Sequence, residues 1–147
     1  FLMHGKNVNK TFRETCGKLG KKYLLFEGGK SQQSDKKIVS VAVNGAIRVL
    51  DHLGMLSKKE LVVDADHEIE LITESKWIRA KYSGLLHPKV TYGKYVEKGE
   101  LLASITDPYG KMRHKVNAPN SGFILNVNNS PLVYQGDAIF HISKNER

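Results

Sequence analysis

The chain has 147 residues, of which 40% are hydrophobic and 26% charged, proportions typical of a folded globular protein rather than a disordered one. It contains no apolar run near the roughly 20 residues that a membrane-spanning helix needs, and its single cysteine, Cys16, excludes an internal disulfide framework. The net charge of +8 lies wholly in residues 1–59, where aromatic residues are not interleaved with the basic ones as single-strand binding would require, so we expect no nucleic-acid partner. The lack of a long apolar run likewise leads us to expect no membrane partner.

The first predicted element is a short helix over Thr11–Leu19, which Gly20 ends. The apolar run Tyr23–Phe26 follows and predicts a strand that is buried on both faces, as in a sheet covered by helices on each side. Glu27 comes directly after this run and precedes two glycines.

A long helix is predicted next. Ser34-Asp35 offers an N-cap, apolar residues recur at helical spacing from Ile38 to Leu53, and Gly54 is a natural stop. The order of helix, strand, Gly-rich loop and long helix is half of an α/β unit, which cannot close a core alone. We therefore interpret residues 1–56 as an α/β remnant.

Residues 57–75 are predicted to be a connector. Carboxylates and one histidine lie close together in it, at Asp64, Asp66, His67, Glu68 and Glu70. Such side chains can bind a divalent cation. The structural alternative is the solvent-facing side of a strand that carries Ile69 and Leu71 inward. The spacing matches no known metal-binding loop, so we assign no metal ligand here.

Residues 76–147 are predicted to form an all-β domain, with short strands separated by turn residues at regular intervals. The segment also contains an internal repeat. Ser83–Leu86 is echoed by Ser121–Ile124 after 38 residues, and Val96–Gly99 is echoed by Val133–Gly136 after 37. Each copy predicts a strand, a loop, a tight Val-x-x-Gly turn and a second strand. The repeat predicts a barrel-sandwich hybrid with pseudo-twofold symmetry.

Lys111-Met112 lies between the two copies, and Ala118-Pro119 follows. This arrangement resembles the biotinyl/lipoyl carrier domain, in which a lysine at a hairpin tip between two such copies carries the cofactor. The biotin motif Ala-Met-Lys-Met is replaced here by Tyr109-Gly110-Lys111-Met112, and the lipoyl motif Asp-Lys-Ala is absent. A non-catalytic carrier or adaptor domain is therefore the alternative function, and an unmodified surface lysine is the plainer interpretation of Lys111.

Two sets of short stretches carry a more specific resemblance. Those of the β domain are Ser75–Ala80, Ser83–Leu85, Val96–Gly99, Ile105–Gly110, Ala118–Gly122, Pro131–Val133 and Gly136–Ile142. Those of the first part are Gly5-Lys6, Thr11–Arg13, Leu24–Gly29, Gly45–Leu50 and Leu53–Leu56. In this order and spacing they resemble the C-terminal part of the succinylglutamate desuccinylase/aspartoacylase family, zinc-dependent amidohydrolases related to carboxypeptidases.

The resemblance implies a chemistry for two residues. In this family zinc polarises the amide carbonyl, while a glutamate at the end of a buried strand takes a proton from water and delivers it to the leaving amine. Glu27 matches this glutamate. Arg13 matches an arginine that grips the substrate carboxylate, for which a guanidinium is suited. The plain alternatives are a polar loop residue at Glu27 and a solvent-facing helix residue at Arg13.

The resemblance also implies what this chain lacks. The family's zinc ligands, a His-x-x-Glu pair and a later histidine, precede the stretch that matches Gly5-Lys6, which places them upstream of Phe1. We therefore expect no bound zinc and no hydrolysis by this chain alone. Zinc and a small N-acyl amino acid substrate, a linear amide or an ester, are expectations for the full-length protein.

Taken together, these features predict part of a carboxypeptidase-like catalytic domain at 1–56, a connector at 57–75 and a β domain at 76–147. Because the sequence begins with Phe rather than Met and shows no signal-peptide pattern, we expect a piece of a longer, cytoplasmic protein. The first 59 residues could dimerise to cover an exposed sheet edge, so a homo-oligomer is left open. Four of the six histidines are interpreted as structural, at His52 and His141, or as exposed, at His87 and His114.

Overall fold

The computed structural model describes residues 1–3, 9–30, 34–57 and 69–144. The chain divides into two compact units. One, the β unit, comprises Phe1–Gly5 and Ile69–Arg147, and the other, the helical unit, comprises Lys6–Glu68. Strands predominate and two helices are present among the described residues. None of the described helices has the length and apolar character to cross a membrane.

The helical unit begins with α1 (Phe12–Lys18), which confirms the first predicted helix. Thr11 caps it, since its side chain accepts a hydrogen bond from the backbone N–H of Glu14 at 3.3 Å. Gly20 follows the helix with a φ of 63°, a left-handed conformation that a residue without a Cβ adopts easily. The predicted stop is therefore also confirmed.

The second predicted helix is α2 (Lys36–His52). Of the two N-cap candidates, Asp35 is the one that caps, because its Oδ1 accepts from the N–H groups of Lys37 at 2.9 Å and Ile38 at 3.3 Å. Gly54 has a φ of 67° and ends the helix as the sequence predicts.

The buried strand predicted at Tyr23–Phe26 is wrong. Residues 21–28 have no regular secondary structure, and the four apolar side chains are exposed, Leu24 by 77%. A buried strand satisfies its backbone groups by pairing with neighbours on both sides. No strand that could pair with this segment forms among the described residues of the helical unit.

The β unit consists of short strands, which confirms the all-β prediction for the second part of the chain. They are β1 (Leu2–Met3), β2 (Leu71–Ile72), β3 (Ser75–Arg79), β4 (Gly84–Pro88), β5 (Tyr95–Val96), β6 (Leu101–Thr106), β7 (Arg113–Asn117), β8 (Gly122–Val127), β9 (Leu132–Val133) and β10 (Ala138–Ser143). β1 and β2 form a two-stranded parallel sheet. The others form two antiparallel sheets, ordered β3-β10-β8-β5 and β7-β6-β4-β9.

β2 lies inside the segment predicted as a connector. Leu2 pairs with Leu71, and Met3 pairs with Ile72. Ile72 is 1% exposed, whereas Leu71 and Ile69 are exposed. The expectation that Ile69 and Leu71 point inward is therefore wrong, because the strand buries Ile72, the position after Leu71, instead.

The core of the β unit combines residues from both four-stranded sheets. Its fully buried members include Leu102 and Ile105 of β6, Ile124 of β8, and Phe140 and Ile142 of β10. Complete burial of one such side chain stabilises the fold by about 1.5–3 kcal/mol. The strands that carry this core also position the two Val-x-x-Gly turns at the ends of the sheets.

The two Val-x-x-Gly turns make matching hydrogen bonds. In the first turn the backbone N–H of Lys98 donates to Ser121 Oγ, and in the second the N–H of Gln135 donates to Ser83 Oγ, both at 2.9 Å. Each turn is thus bonded to the serine that opens the other stretch of the repeat.

Candidate functional site

Both residues to which the family resemblance assigns a role lie in the helical unit. Arg13 is half-buried in the first turn of α1, and its guanidinium carbon lies 5.9 Å from the ring centroid of Tyr23, within the range of cation–π attraction. Glu27 is exposed and follows Phe26 in the irregular segment. Because no strand forms there, the expected position of Glu27 at the end of a buried strand is wrong among the described residues.

Gly28, directly after Glu27, allows a close approach of the backbone to its neighbours. A Cβ at Gly28 would lie 2.9 Å from Ile38 Cγ2 and 2.9 Å from Phe26 Cζ. Ile38 lies in the first turn of α2. The backbone next to Glu27 therefore packs against the start of α2.

Glu14, the residue after Arg13, stabilises α1 through both of its carboxylate oxygens. Glu14 Oε2 accepts from the backbone N–H of Lys10 at 2.6 Å, and Glu14 Oε1 lies 2.8 Å from Lys18 Nζ. The hydrogen bond from Lys18, and then the one from Lys10, lowers the pKa of Glu14. Glu14 is therefore a helix-end group rather than a candidate acid or base.

The helical unit leaves most of its apolar side chains exposed. α2 buries none of its residues, although apolar side chains recur along it, and Val39, Val41 and Val43 are about half exposed. Cys16 is the one buried residue among those described in this unit. An amphipathic helix of a stable domain packs its apolar side against other elements. The described elements therefore do not supply a complete core.

Within residues 1–3, 9–30, 34–57 and 69–144, no group of three or more His, Cys, Asp or Glu side chains could hold a metal ion. Most of the acidic cluster, Asp64, Asp66, His67 and Glu68, lies outside the described residues, and Glu70 is exposed. His67 and Glu70 do have the His-x-x-Glu spacing. They follow the predicted catalytic-domain elements, whereas the pair that the resemblance implies precedes them.

Lys111 lies at the exposed end of the hairpin that joins β6 to β7. Its neighbours Tyr109 and Met112 are 84% and 58% exposed. Asp107 holds this hairpin, because its carbonyl accepts from the N–H of Gly110 and its Oδ1 accepts from the N–H of Met112, both at 3.1 Å. The lysine is accessible at the position that the carrier alternative requires.

His141 has structural contacts, in line with its interpretation. Its ring stacks on Trp77 with centroids 4.3 Å apart and planes 7° apart, and its Nε2 lies 2.9 Å from Ser75 Oγ. His52, the last residue of α2, is exposed rather than part of a packed core.

The prediction that His114 is exposed is wrong. Its ring stacks on Tyr82 with centroids 3.6 Å apart, and its Nε2 is buried with no hydrogen-bond partner among the described residues. His114 alternates along β7 with two exposed cations and therefore points the other way. His87 is exposed as predicted, with Nε2 2.9 Å from Thr106 Oγ1.

Two shallow depressions of the β unit were not predicted. The larger, about 580 Å³, is lined by Tyr95, Glu97, Lys98, Pro119, Asn120, Ser121 and Lys144. Asn120 takes part in the local fold, because its Nδ2 donates to the carbonyls of Ser121 and Ser143, at 2.6 and 2.8 Å.

The smaller depression lies on the β7-β6-β4-β9 sheet and is lined by cationic side chains. The sequence feature that indicates this depression is the alternation of basic residues along β7, at Arg113 and Lys115.

No protein-family model matches the sequence, and no curated protein matches it. Solved structures with the fold of the succinylglutamate desuccinylase/aspartoacylase family do match. One is a succinylglutamate desuccinylase from Silicibacter sp. TM1040, with a TM-score of 0.73 and 18% identity over 96% of this chain and 44% of that one. Another, a succinylglutamate desuccinylase/aspartoacylase from Rhodobacter sphaeroides, has a TM-score of 0.64 and 16% identity over 78% and 37%.

The ectoine utilization protein EutE (DoeB) from Ruegeria pomeroyi is also similar, with a TM-score of 0.82 and 20% identity over 95% of this chain and 44% of that one. The chain thus spans less than half the length of these structures. The family resemblance predicted from the sequence is confirmed at the level of the fold, and the partial coverage is consistent with a C-terminal portion.

Proposed function

We propose that this chain is the C-terminal part of a zinc-dependent hydrolase that cleaves the amide bond of N-acyl amino acids or a related ester. The observation that carries the proposal is the fold likeness, with a TM-score of 0.82 over 95% of the chain. A likeness of that extent includes both the helical and the β unit. The proposed division is part of the catalytic domain at 1–56, a connector at 57–75 and a β domain at 76–147.

The metal would be held by residues outside this chain. The described residues offer no fitting ligand group, so no catalytic step is assigned to a metal here. The exposed apolar side chains of α2 and of Tyr23–Phe26 support an upstream portion of the catalytic domain that packs on them. We expect the 147-residue chain alone to be inactive.

Glu27 is the proposed proton carrier. A carboxylate there takes a proton from the attacking water and returns it to the nitrogen of the leaving amine. Arg13 is the proposed ligand of the substrate carboxylate, which a guanidinium binds through two parallel hydrogen bonds. The contact of Arg13 with Tyr23, which begins the segment that leads to Glu27, supports a shared site.

The β domain is proposed to be a barrel-sandwich hybrid with a pseudo-twofold repeat. The matching hydrogen bonds from Lys98 to Ser121 and from Gln135 to Ser83 support this symmetry. The near-equal φ angles of Gly84 and Gly122, 153° and 157°, support it further.

The proposal is tested with the full-length gene product and with the 147-residue chain, each assayed on a panel of N-acyl amino acids and analysed for zinc. The full-length protein should hydrolyse at least one member, contain zinc, and carry a His-x-x-Glu pair upstream of Phe1. The short chain should do neither. Hydrolysis by the short chain, or a full-length protein without activity and zinc, contradicts the proposal.

A carrier or adaptor domain is the second candidate, and the exposed position of Lys111 at the β6–β7 hairpin favours it. Intact-mass and peptide mass spectrometry of the protein from its natural host distinguishes the two. Added mass equal to a biotinyl or lipoyl group on Lys111 supports the carrier function, and an unmodified Lys111 contradicts it.

A further inference from the structure

One face of the β7-β6-β4-β9 sheet carries a cluster of cationic and hydroxyl side chains, which we call the cationic depression. It measures about 270 Å³ and is lined by His87, Lys89, Ser104, Thr106, Gly110 and Arg113. Ser104 lies between Ala103 and Ile105 of β6, which belong to the core. Because successive side chains of a strand point to opposite faces, the depression lies on the side of the sheet away from Ile105.

The strand register brings these groups together. β6 is central: Ser104 lies opposite His87 of β4 on one side and opposite Lys115 of β7 on the other. Thr106 lies opposite Arg113. Directly opposed residues of antiparallel strands have Cβ atoms about 4.5–5.5 Å apart. Side chains from three strands therefore converge on one small area.

The positive charges of this area are not neutralised within the described part of the chain. Lys89, Arg113 and Lys115 take part in none of the ion pairs that the described residues form. By contrast, Lys94 and Lys144 of the same unit are each paired with a glutamate. No carboxylate lines the depression. Uncompensated like charges on neighbouring positions repel, so an anion that binds among them relieves this repulsion.

Hydrogen-bond donors accompany the charges. His87 Nε2 lies 2.9 Å from Thr106 Oγ1. When the proton is on Nε2, His87 donates to this oxygen, and the hydroxyl proton of Thr106 is then available to an anion. Ser104, which is 2% exposed, supplies a second hydroxyl at the floor. Arg113 adds a planar fork of N–H groups, which suits an oxyanion.

We propose that the cationic depression is a binding site for a small oxyanion, that is, a phosphoryl or carboxylate group. The oxygens of the ligand accept hydrogen bonds from the guanidinium of Arg113, the hydroxyl of Thr106 and the ammonium of Lys89. The proposal uses residues of the β unit only, and it stands whether or not the chain is part of a hydrolase.

The test is an NMR titration of the ¹⁵N-labelled 147-residue chain with sodium phosphate and, in a second arm, with sodium succinate. Sodium chloride keeps the ionic strength constant. We expect saturable shifts of the amide signals of His87, Thr106 and Arg113. The arm that saturates at the lower concentration identifies phosphoryl or carboxylate as the preferred group. Shifts that fail to saturate in both arms, or that centre elsewhere, overturn the proposal.

Three variants separate this site from general charge screening. Arg113→Gln should raise the Kd about tenfold, because a charge-assisted hydrogen bond is lost. Thr106→Val keeps the charge and loses the hydroxyl, so its Kd should rise about threefold. Lys98→Gln removes a matched positive charge outside the depression and should leave the Kd unchanged.

If Arg113→Gln and Lys98→Gln raise the Kd for the anion equally, the proposed site is contradicted, because general charge screening would then explain the binding. The fluorescence of Trp77, the single tryptophan, reports whether each variant is folded. If Arg113→Gln does not fold, the comparison of Thr106→Val with Lys98→Gln decides the question.

Discussion

Gly122, at the start of β8, lies against the backbone of Ser143, at the end of β10, so closely that a Cβ at position 122 would overlap the carbonyl oxygen of Ser143. The same relationship joins Gly84 of β4 to the carbonyl oxygen of Thr106 of β6. At both places a strand begins directly against the last residue of its neighbour, and only a residue without a Cβ fits.

Gly122→Ala should therefore destabilise the β unit by about 3 kcal/mol or more, because the methyl group meets backbone that cannot yield. The matched control is Gly99→Ala. Gly99 has a φ of 88° but nothing within 4 Å of its Cβ position, so its cost is limited to about 1–2 kcal/mol of left-handed strain. Urea unfolding followed by Trp77 fluorescence measures both. Equal losses would contradict the close contact at Ser143.

Acid should weaken the first Val-x-x-Gly turn. Glu100 Oε1 lies 2.6 Å from Lys94 Nζ, and Oε2 accepts from the N–H of Glu97 at 3.1 Å. The hydrogen bond from Lys94, and then the one from Glu97, lowers the pKa of Glu100. A carboxyl with a depressed folded-state pKa contributes stability that is present above its unfolded pKa and is lost as the pH falls through its folded pKa.

Lys94→Gln should raise the pKa of Glu100 toward the usual glutamate value and reduce this acid-dependent loss. An NMR titration of the Glu100 side-chain carboxyl carbon measures the pKa. Lys98→Gln is the control and should leave the lowered pKa of Glu100 unchanged. If the pKa of Glu100 were as low in the Lys94→Gln variant as in the unchanged protein, the hydrogen bond from Lys94 would not be its cause.

Asp35→Ala should reduce the helicity of α2 by removing its N-cap, at a cost of about 1 kcal/mol. The neighbouring change Ser34→Ala is the control, because Asp35 and not Ser34 accepts the N–H groups of Lys37 and Ile38. Far-UV circular dichroism during thermal unfolding compares the two. A larger effect of Ser34→Ala would show that the cap is wrongly placed.

Arg13→Lys in the full-length protein should raise the KM about tenfold, since lysine cannot bind a carboxylate through a two-pronged fork. Tyr23→Phe keeps an aromatic ring beside the guanidinium and should change the KM little. Steady-state kinetics on the preferred N-acyl amino acid measures both variants. A KM unaltered by Arg13→Lys would remove the substrate role of Arg13.

The elements predicted correctly have local signals. α2 follows from an N-cap at Asp35, helical spacing of apolar residues and a stop at Gly54, all within the helix or directly beside it. The apolar run Tyr23–Phe26 fails as a strand because its burial depends on partner strands, which a local pattern cannot supply. His114 was misjudged because its burial depends on which face of β7 meets the rest of the fold.

The site was predictable only in part. Glu27 and Arg13 are assigned to the site by a family resemblance, and their roles remain predictions. The cationic depression could not be predicted, because strand register, which no local pattern specifies, places His87 and Arg113 near each other.

The most direct test of the central claim is turnover and zinc content of the full-length protein with Glu27→Gln, which keeps the size of the side chain and removes its ability to carry a proton. We predict a loss of turnover of about 10²–10⁴-fold with zinc content unchanged. Glu14→Gln, whose carboxylate only closes α1, is the control and should retain turnover. Full turnover with Gln at position 27 would show that this carboxylate does not carry the proton.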